Sequence, residues 1–325
     1  MYAIKLELKL NNRERTLMAR HSGYARFCYN YALALYQGVK DIQGSSKKVA
    51  AIERVFTNHV KKLPEYQWTN TLSSRVYKTT FRHFGTALSR SFQGLGKFPK
   101  FKRKKDGDSF TVDAADWNHA ILLKPQKSIK IPTLGNFRLK EAIGFPCMAQ
   151  TFTVSRTADK WFVSFTIKAQ KMPPLSHPIV ATVGLDLGVS TFATLSDGNC
   201  YESPRPLKTA KTKLSKEQWR NRNKQLGHKR LGVKASNNAR KHYRRIAKIH
   251  AKIANQRRDF LQKTTTEISR KYAHIRIEDL NVRGMIANHK LAATISDCGF
   301  YEFRRELEYT AVPAVMRYTQ LILNI

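Results

Sequence analysis

Two short apolar runs in this 325-residue chain each end in acid. The first, Val180 to Leu187, carries the single acid Asp186 and is followed by Gly188. Thr191-Phe192-Ala193-Thr194-Leu195 then resumes the pattern as far as Asp197-Gly198. That spacing predicts a strand, a tight turn and an antiparallel strand, with one carboxylate at the end of the first strand. A carboxylate placed inside an apolar strand is costly unless a cation or a metal pairs with it. The second run, His274-Ile275-Arg276-Ile277, ends in Glu278-Asp279. Pairing the two strands side by side brings Glu278 close to Asp186. Two hard oxygen donors at adjacent strand ends suit Mg2+, which also bridges substrate phosphates. Two such ions about 4 Å apart activate water and stabilise the leaving oxygen of a phosphodiester. The plainer reading is an acid pair that merely closes a strand on a solvated edge.

Two folds use an acid in this way: RNase-H-like nucleases hold Mg2+ with it, and actin-like and sugar-kinase ATPases set it near the ATP phosphates. Charge separates them. The chain has 59 Lys and Arg against 23 Asp and Glu, a net charge of +36. Such a charge gathers polyanions, and cations gain affinity for nucleic acid by displacing the counterions condensed on phosphates. No separate adenosine-site signal accompanies the acids. From Lys208 to Arg258 there are 18 Lys and Arg and one acid, Glu217. Ile246, Ile249 and Ile253 keep helical spacing within it, continuing to Phe260 and Ile268. The spacing predicts a long amphipathic helix, half of a hairpin, with Arg244, Arg245, Arg257 and Arg258 on a cationic face. Cations this dense repel each other, which favours a polyanion partner over a merely solvated face.

A second basic segment follows Gly94-Leu95-Gly96. Lys97, Lys100, Lys102, Arg103, Lys104 and Lys105 interleave with Phe98 and Phe101, a composition suited to a groove where phosphates meet charge and bases meet rings. A solvated basic loop is the plainer alternative. The elements around these segments are legible from periodicity. Ile4, Leu6, Leu8 and Leu10 alternate as a half-buried strand. Residues 12–92 turn to helical spacing, with Tyr24, Phe27, Tyr31 and Leu35 in a stripe and Pro64 the sole proline, which fits two to four helices. Strand signals return over 109–169, with a hairpin turning at Thr157 to Lys160, so a small β-barrel or sandwich interrupted by helices is expected. Pro173-Pro174 and Pro178 set a domain boundary near residue 175. The four cysteines stand far apart and form no CxxC pair, which predicts no zinc site and a reducing interior. No membrane-spanning run or signal peptide is present, so cytoplasm or nucleoid is the expected location.

Taken together, the motifs resemble one family. Gly184-Leu185-Asp186-Leu187-Gly188 with Phe192 to Gly198, Ile253 to Phe260, Ile277 to Met285 and Ile295 to Phe300 are similar to the TnpB proteins of bacterial insertion sequences. Gly23 to Asn30 is similar to that family's first helix, and the resemblance runs from about residue 2 to Tyr309. It implies an α+β multidomain chain: a β-barrel wedge (1–11 and 97–175), an inserted helical recognition domain (12–96) and a RuvC-like nuclease domain (176–325) with a basic helical insertion (208–270). It implies a transposon-encoded, RNA-guided DNA endonuclease that binds a guide RNA from the transposon end and target double-stranded DNA. Asp186 and Glu278 fall on two catalytic, Mg2+-holding positions, and Arg26, Asn30 and the lysines around Phe101 fall in regions that contact nucleic acid. After Tyr309 the resemblance stops, although residues 320–325 suit a further strand. The family's zinc ribbon and third catalytic Asp are not matched, and no acid follows Glu308. Asp279 and Asp297 are the acids left to substitute. The expectation is a truncated nuclease that cleaves weakly or not at all. The alternatives are a nuclease-dead guided binder, acting as a repressor or transposition accessory, and, more remotely, an actin-like ATPase.

Overall fold

A computed structural model describes residues 2–38, 44–113, 126–143, 149–167, 182–228 and 231–311. The expected boundary near residue 175 and the expected strand at 320–325 lie outside the described residues. The chain divides into two compact units, Met1–Lys171 and Met172–Ile325.

The first unit opens with strand β1 (Tyr2–Leu8) and helix α1 (Asn12–Gly38). The helix starts where Asn11 and Glu14 exchange bonds: the Asn11 side chain accepts from Glu14 N at 2.9 Å, and the Glu14 carboxylate accepts from Asn11 N at 2.7 Å. That reciprocal pair satisfies two amide groups the helix leaves open. Helices α2 (Ser45–Asn58) and α3 (Ser74–Phe92) follow, separated by 3-10 turns at Val60–Lys62 and Pro64–Thr71. Tyr24, Phe56, Phe81 and Phe84 are fully buried. Strands β2 (Ser109–Asp113), β3 (Gln126–Ile131), β4 (Gly135–Ile143), β5 (Ala149–Thr157) and β6 (Lys160–Ile167) complete the unit.

The six strands form one sheet in the order β2-β5-β6-β1-β4-β3. β1 is central and runs antiparallel to β6 from Tyr2↔Ile167 to Leu8↔Trp161, burying Leu6 and Leu8. In the β5–β6 hairpin, Phe152↔Phe165 and Val154↔Val163 put apolar pairs into the core. Among the described residues the edge strands β2 and β3 do not pair. Over the described residues, the strands expected to form a small β-barrel or sandwich make one curled half-barrel sheet. Alternation shows which residues face inward on each strand, but whether edges meet depends on curvature.

In the second unit, β7 (Thr182–Leu187), β8 (Ala193–Leu195), β9 (Cys200–Tyr201) and β10 (His274–Ile277) make a four-stranded sheet ordered β10-β7-β8-β9. β10 pairs with β7 in parallel and β8 pairs with β7 antiparallel. Helices α4 (Pro206–Arg220) and α5 (Asn237–Lys271) lie between β9 and β10, and α6 (Val282–Ala287), α7 (Ala292–Cys298) and α8 (Phe300–Ala311) follow. The long basic helix is not wholly an insertion. Its first half packs on α4, whereas Leu261, Thr264, Thr265 and Ile268 of its second half are buried and α8 packs against it.

The turn after β8 is clasped by Asp197. Its carboxylate accepts from the Tyr272 hydroxyl, from Asn199 N at 3.1 Å and Asn199 Nδ2 at 2.7 Å, and pairs with Lys271 Nζ at 3.3 Å. The Tyr272 bond above all holds this carboxyl well below the usual carboxylate range. A depressed carboxyl contributes stability above its unfolded pKa of about 4 and loses it as pH falls toward the folded value. In urea melts, wild type should therefore lose stability steeply below about pH 4. Asp197→Asn should be weaker at neutral pH and should lose less stability than wild type over that acid range.

Candidate metal centre and nucleic-acid surfaces

Burial along β7 alternates: Val183, Leu185 and Leu187 point into the core, while Thr182 and Asp186 are exposed. On β10, Ile275 and Ile277 are buried and Arg276 is exposed. The parallel register Arg276↔Gly184 and Ile277↔Leu185 carries Glu278, the next residue, alongside Asp186. Antiparallel β8 sets Thr194 opposite Asp186. Asp186, Glu278, Arg276, Thr194 and Ser196 thus line one groove of about 660 Å³ on the open face of the sheet. Gly188 allows the turn that follows, since a Cβ there would stand 2.7 Å from the Thr191 carbonyl oxygen.

This geometry corrects one premise of the sequence reading. Asp186 is exposed, so no burial penalty has to be offset by a metal. What sets it apart is its place beside Glu278 on one groove. In a chain of net charge +36, no described cation or hydrogen-bond donor engages the Asp186 carboxylate. Glu278 is half-buried, and its Oε1 accepts from Leu187 N at 3.3 Å, which ties the two strand ends together. Two oxygen donors, one tethered and one unengaged, fit a hard divalent cation. Arg276 was missed in the sequence, although its two-residue spacing from Glu278 is the signal that it shares the face.

The two acids named as substitutes for a third ligand are already engaged. Asp279 is ion-paired with Arg304. Asp297 is only 5% exposed, accepts from Leu207 N and Lys208 N at the start of α4, and pairs with Arg257 Nη2 at 2.9 Å. Among the described residues, no three His, Cys, Asp or Glu side chains gather as a metal site.

In the first unit, Lys97, Lys100, Lys102, Arg103, Lys104 and Lys105 are all exposed, as are Phe98 and Phe101. Two expected contact residues turn out to hold this loop. Asn30 brackets Lys102, donating to its carbonyl at 2.9 Å and accepting from its amide at 2.8 Å. Arg26 pairs with buried Asp108 at 3.3 Å, as does Arg156 at 2.9 Å. Lys102 Nζ rests 4.0 Å from the centre of the Tyr29 ring, and the Arg103 amide and guanidinium engage Asp106.

In the second unit, Arg244, Arg245 and Arg258 are exposed on α5. Arg245, Lys248 and Lys252 line a groove of about 520 Å³ together with Lys213 of α4. Arg257 faces the other way, with its Nε donating to the Asp297 carbonyl at 2.9 Å. No described helix is long and apolar enough to cross a membrane.

Comparison with known proteins agrees in one direction. A family model for OrfB of IS605 elements, described as a probable transposase, matches residues 164–289, which include both acids. A companion model described as a helix-turn-helix domain matches residues 1–39, whose described part folds as β1 and the single helix α1. A protein of Escherichia coli K12, provisionally named RNA-guided DNA endonuclease InsQ, is 31% identical over 95% of this chain and 77% of its own length. A protein of Streptomyces pristinaespiralis, also provisionally named RNA-guided DNA endonuclease, is 30% identical over 94% of this chain and 74% of its own. The Cas12f1 chain of a complex with sgRNA and target DNA shares the fold. It has a TM-score of 0.52 at 12% identity, over 94% of this chain and 72% of that one.

Proposed function

The chain belongs to the OrfB (TnpB) family of IS605-type transposases, and from that premise we propose that it is an RNA-guided DNA-binding protein with a RuvC-type endonuclease centre at Asp186 and Glu278. The observation that carries this reading is the shared open sheet face. Two acids distant in sequence meet at parallel strand ends, and among the described residues no cation engages Asp186 in this strongly cationic chain. Asp186 and Glu278 would hold Mg2+, which when bound supplies charge stabilisation for phosphodiester hydrolysis. Arg276, on the same face, would orient a phosphate of the strand. The basic loop at 97–105 and the α4–α5 hairpin would hold the guide RNA and target duplex through phosphates. In domain terms, 1–11 with 97–175 act as the wedge, 12–96 as the recognition helices, and 176–325 as the RuvC-like unit, an RNase-H-like arrangement.

With Asp279 and Asp297 engaged elsewhere, the described residues bring two carboxylates to this centre, and cleavage that rests on those two alone is weak. The same engagement favours a second reading, a guided binder that represses or assists transposition without cutting. Both readings predict tight guide-dependent binding that weakens steeply with salt. A filter-binding titration and a plasmid-cleavage assay with cognate guide RNA and Mg2+ decide between them. Weak cutting lost in Asp186→Ala supports the nuclease, and binding with no cutting supports the second reading. Cutting that survives in Asp186→Ala would remove the proposed centre. Mn2+ titration followed by electron paramagnetic resonance gives a readout independent of activity: wild type should bind, and Glu278→Gln should not. ATP binding without RNA affinity would sink both readings and point to an ATPase.

A further inference from the structure

Trp219 is 64% exposed in the last turn of α4, inside the most cationic stretch of the chain. A single exposed apolar side chain ordinarily asks for no explanation. Three features distinguish this one. The Arg222 guanidinium carbon lies 3.4 Å from the centre of the ring, a stacked cation–π contact. That guanidinium is pinned in turn, because its Nη1 donates to the Trp219 carbonyl at 3.1 Å. The surroundings are also of one sign. Lys216, Arg220 and Arg222 are exposed, and the one acid of α4, Glu217, is half-buried, facing His242 Nδ1 of α5 at 3.2 Å and pairing with Arg220.

A ring held against a guanidinium and exposed over most of its surface is preorganised to receive another flat, electron-rich partner. Proteins that hold single strands combine this device with a cationic track, since every base has a π-face and every linkage a phosphate. The indole is held by a stacked neighbour before the partner arrives, so little ordering entropy is lost on contact. A lipid surface would want several apolar side chains on one helix face, and α4 exposes only Trp219 as a large one.

We propose that Trp219 and Arg222 form a stacking site for one unpaired base of a single-stranded nucleic acid, with Lys216 and Arg222 taking the flanking phosphates. This rests on the reading of the α4–α5 hairpin as a polyanion surface. Guide RNA and displaced DNA strand offer the same chemistry, so the test includes both sugars.

The experiment is a fluorescence-anisotropy titration of the full chain with short oligothymidylate, oligouridylate and a duplex of equal length, over a series of salt concentrations. Trp219→Ala should lose about tenfold to a hundredfold in single-strand affinity. Its duplex affinity and the slope against salt should stay near wild type, because the phosphate contacts remain. Trp219→Tyr should restore most of the loss. A deficit on both single strands supports the shared base-stacking site, and a deficit on one alone supports the site and identifies its sugar. Quenching of tryptophan emission by oligothymidylate should weaken in Trp219→Phe, which reads the same contact without removing the ring. If wild type binds with steep salt dependence and Trp219→Ala matches it on single strands, the stacking site is refuted while the nucleic-acid reading stands. If wild type binds none of the probes, both fail.

Discussion

Phe192→Ala is expected to destabilise the second unit by about 3–5 kcal/mol. Phe192 is fully buried where the turn after β7 enters β8, and its ring meets Phe260 at 5.1 Å, Phe300 at 5.7 Å and Phe303 at 4.9 Å. Truncation removes the ring and leaves a cavity whose walls belong to α5 and α8, helices too constrained to collapse fully. The effect extends to the site, because the same residue anchors β8 against β7. Phe192 N donates to Tyr201 O at 2.9 Å, and Gly188 N donates to Phe192 O at 3.2 Å. Hydrogen exchange should show the amides of β7 and β8 opening far more often, and Mn2+ affinity should fall with them. Phe192→Leu, which keeps most of the volume, should cost no more than about 1.5 kcal/mol. A loss below about 1 kcal/mol in the alanine variant would mean that the aromatic cluster does not hold the strand ends.

Asp297→Ala should cost about 3 kcal/mol, the low end for breaking a buried ion pair, because Arg257 keeps some contact with water. Three donors lose their side-chain acceptor together: Leu207 N, Lys208 N and Arg257 Nη2. The first two are open amides at the start of α4, and a carboxylate there also favours the positive end of the helix. Trypsin should therefore cut the first turn of α4 much faster in the variant, and the melting transition should fall. Arg257→Ala separates this account from the sequence reading, in which Arg257 contacts nucleic acid. A structural partner of Asp297 should lower stability and leave the salt dependence of RNA binding unchanged. A flatter salt slope with unaltered stability would return Arg257 to the phosphate surface.

Some of this is legible in the amino-acid sequence alone. Alternation in residues 4–10 marks the strand that becomes the middle of the first sheet, and the runs on either side of Asp159 mark the β5–β6 hairpin. The isoleucines of α5 mark a long helix, and the acids at 186 and 278 end the two strands that now lie side by side. These are local signals, set by the two- and 3.6-residue periods of the backbone. Charge type and density are equally local, so a polyanion surface is readable from composition alone.

The rest depended on partners distant in sequence. Period two is the same whichever face of a strand is covered, so it did not reveal that Asp186 stands on the open side. The residues assigned to nucleic acid divide for the same reason. Lys97, Lys100, Arg244, Arg245 and Arg258 remain exposed, whereas Arg26, Asn30 and Arg257 hold groups 82, 72 and 40 residues away. An arginine on a surface and an arginine in a lock have the same side chain, and only the fold decides which acid stands opposite. Asp297 and Asp279 lose their standing as spare ligands in the same way, to Arg257 and Arg304. By itself, then, the sequence determined the periods, the charges and the two acids at strand ends. The tertiary structure decided which of those charges are already neutralised and which still face outward, because ion pairing and burial are set by proximity in space and not by position along the chain.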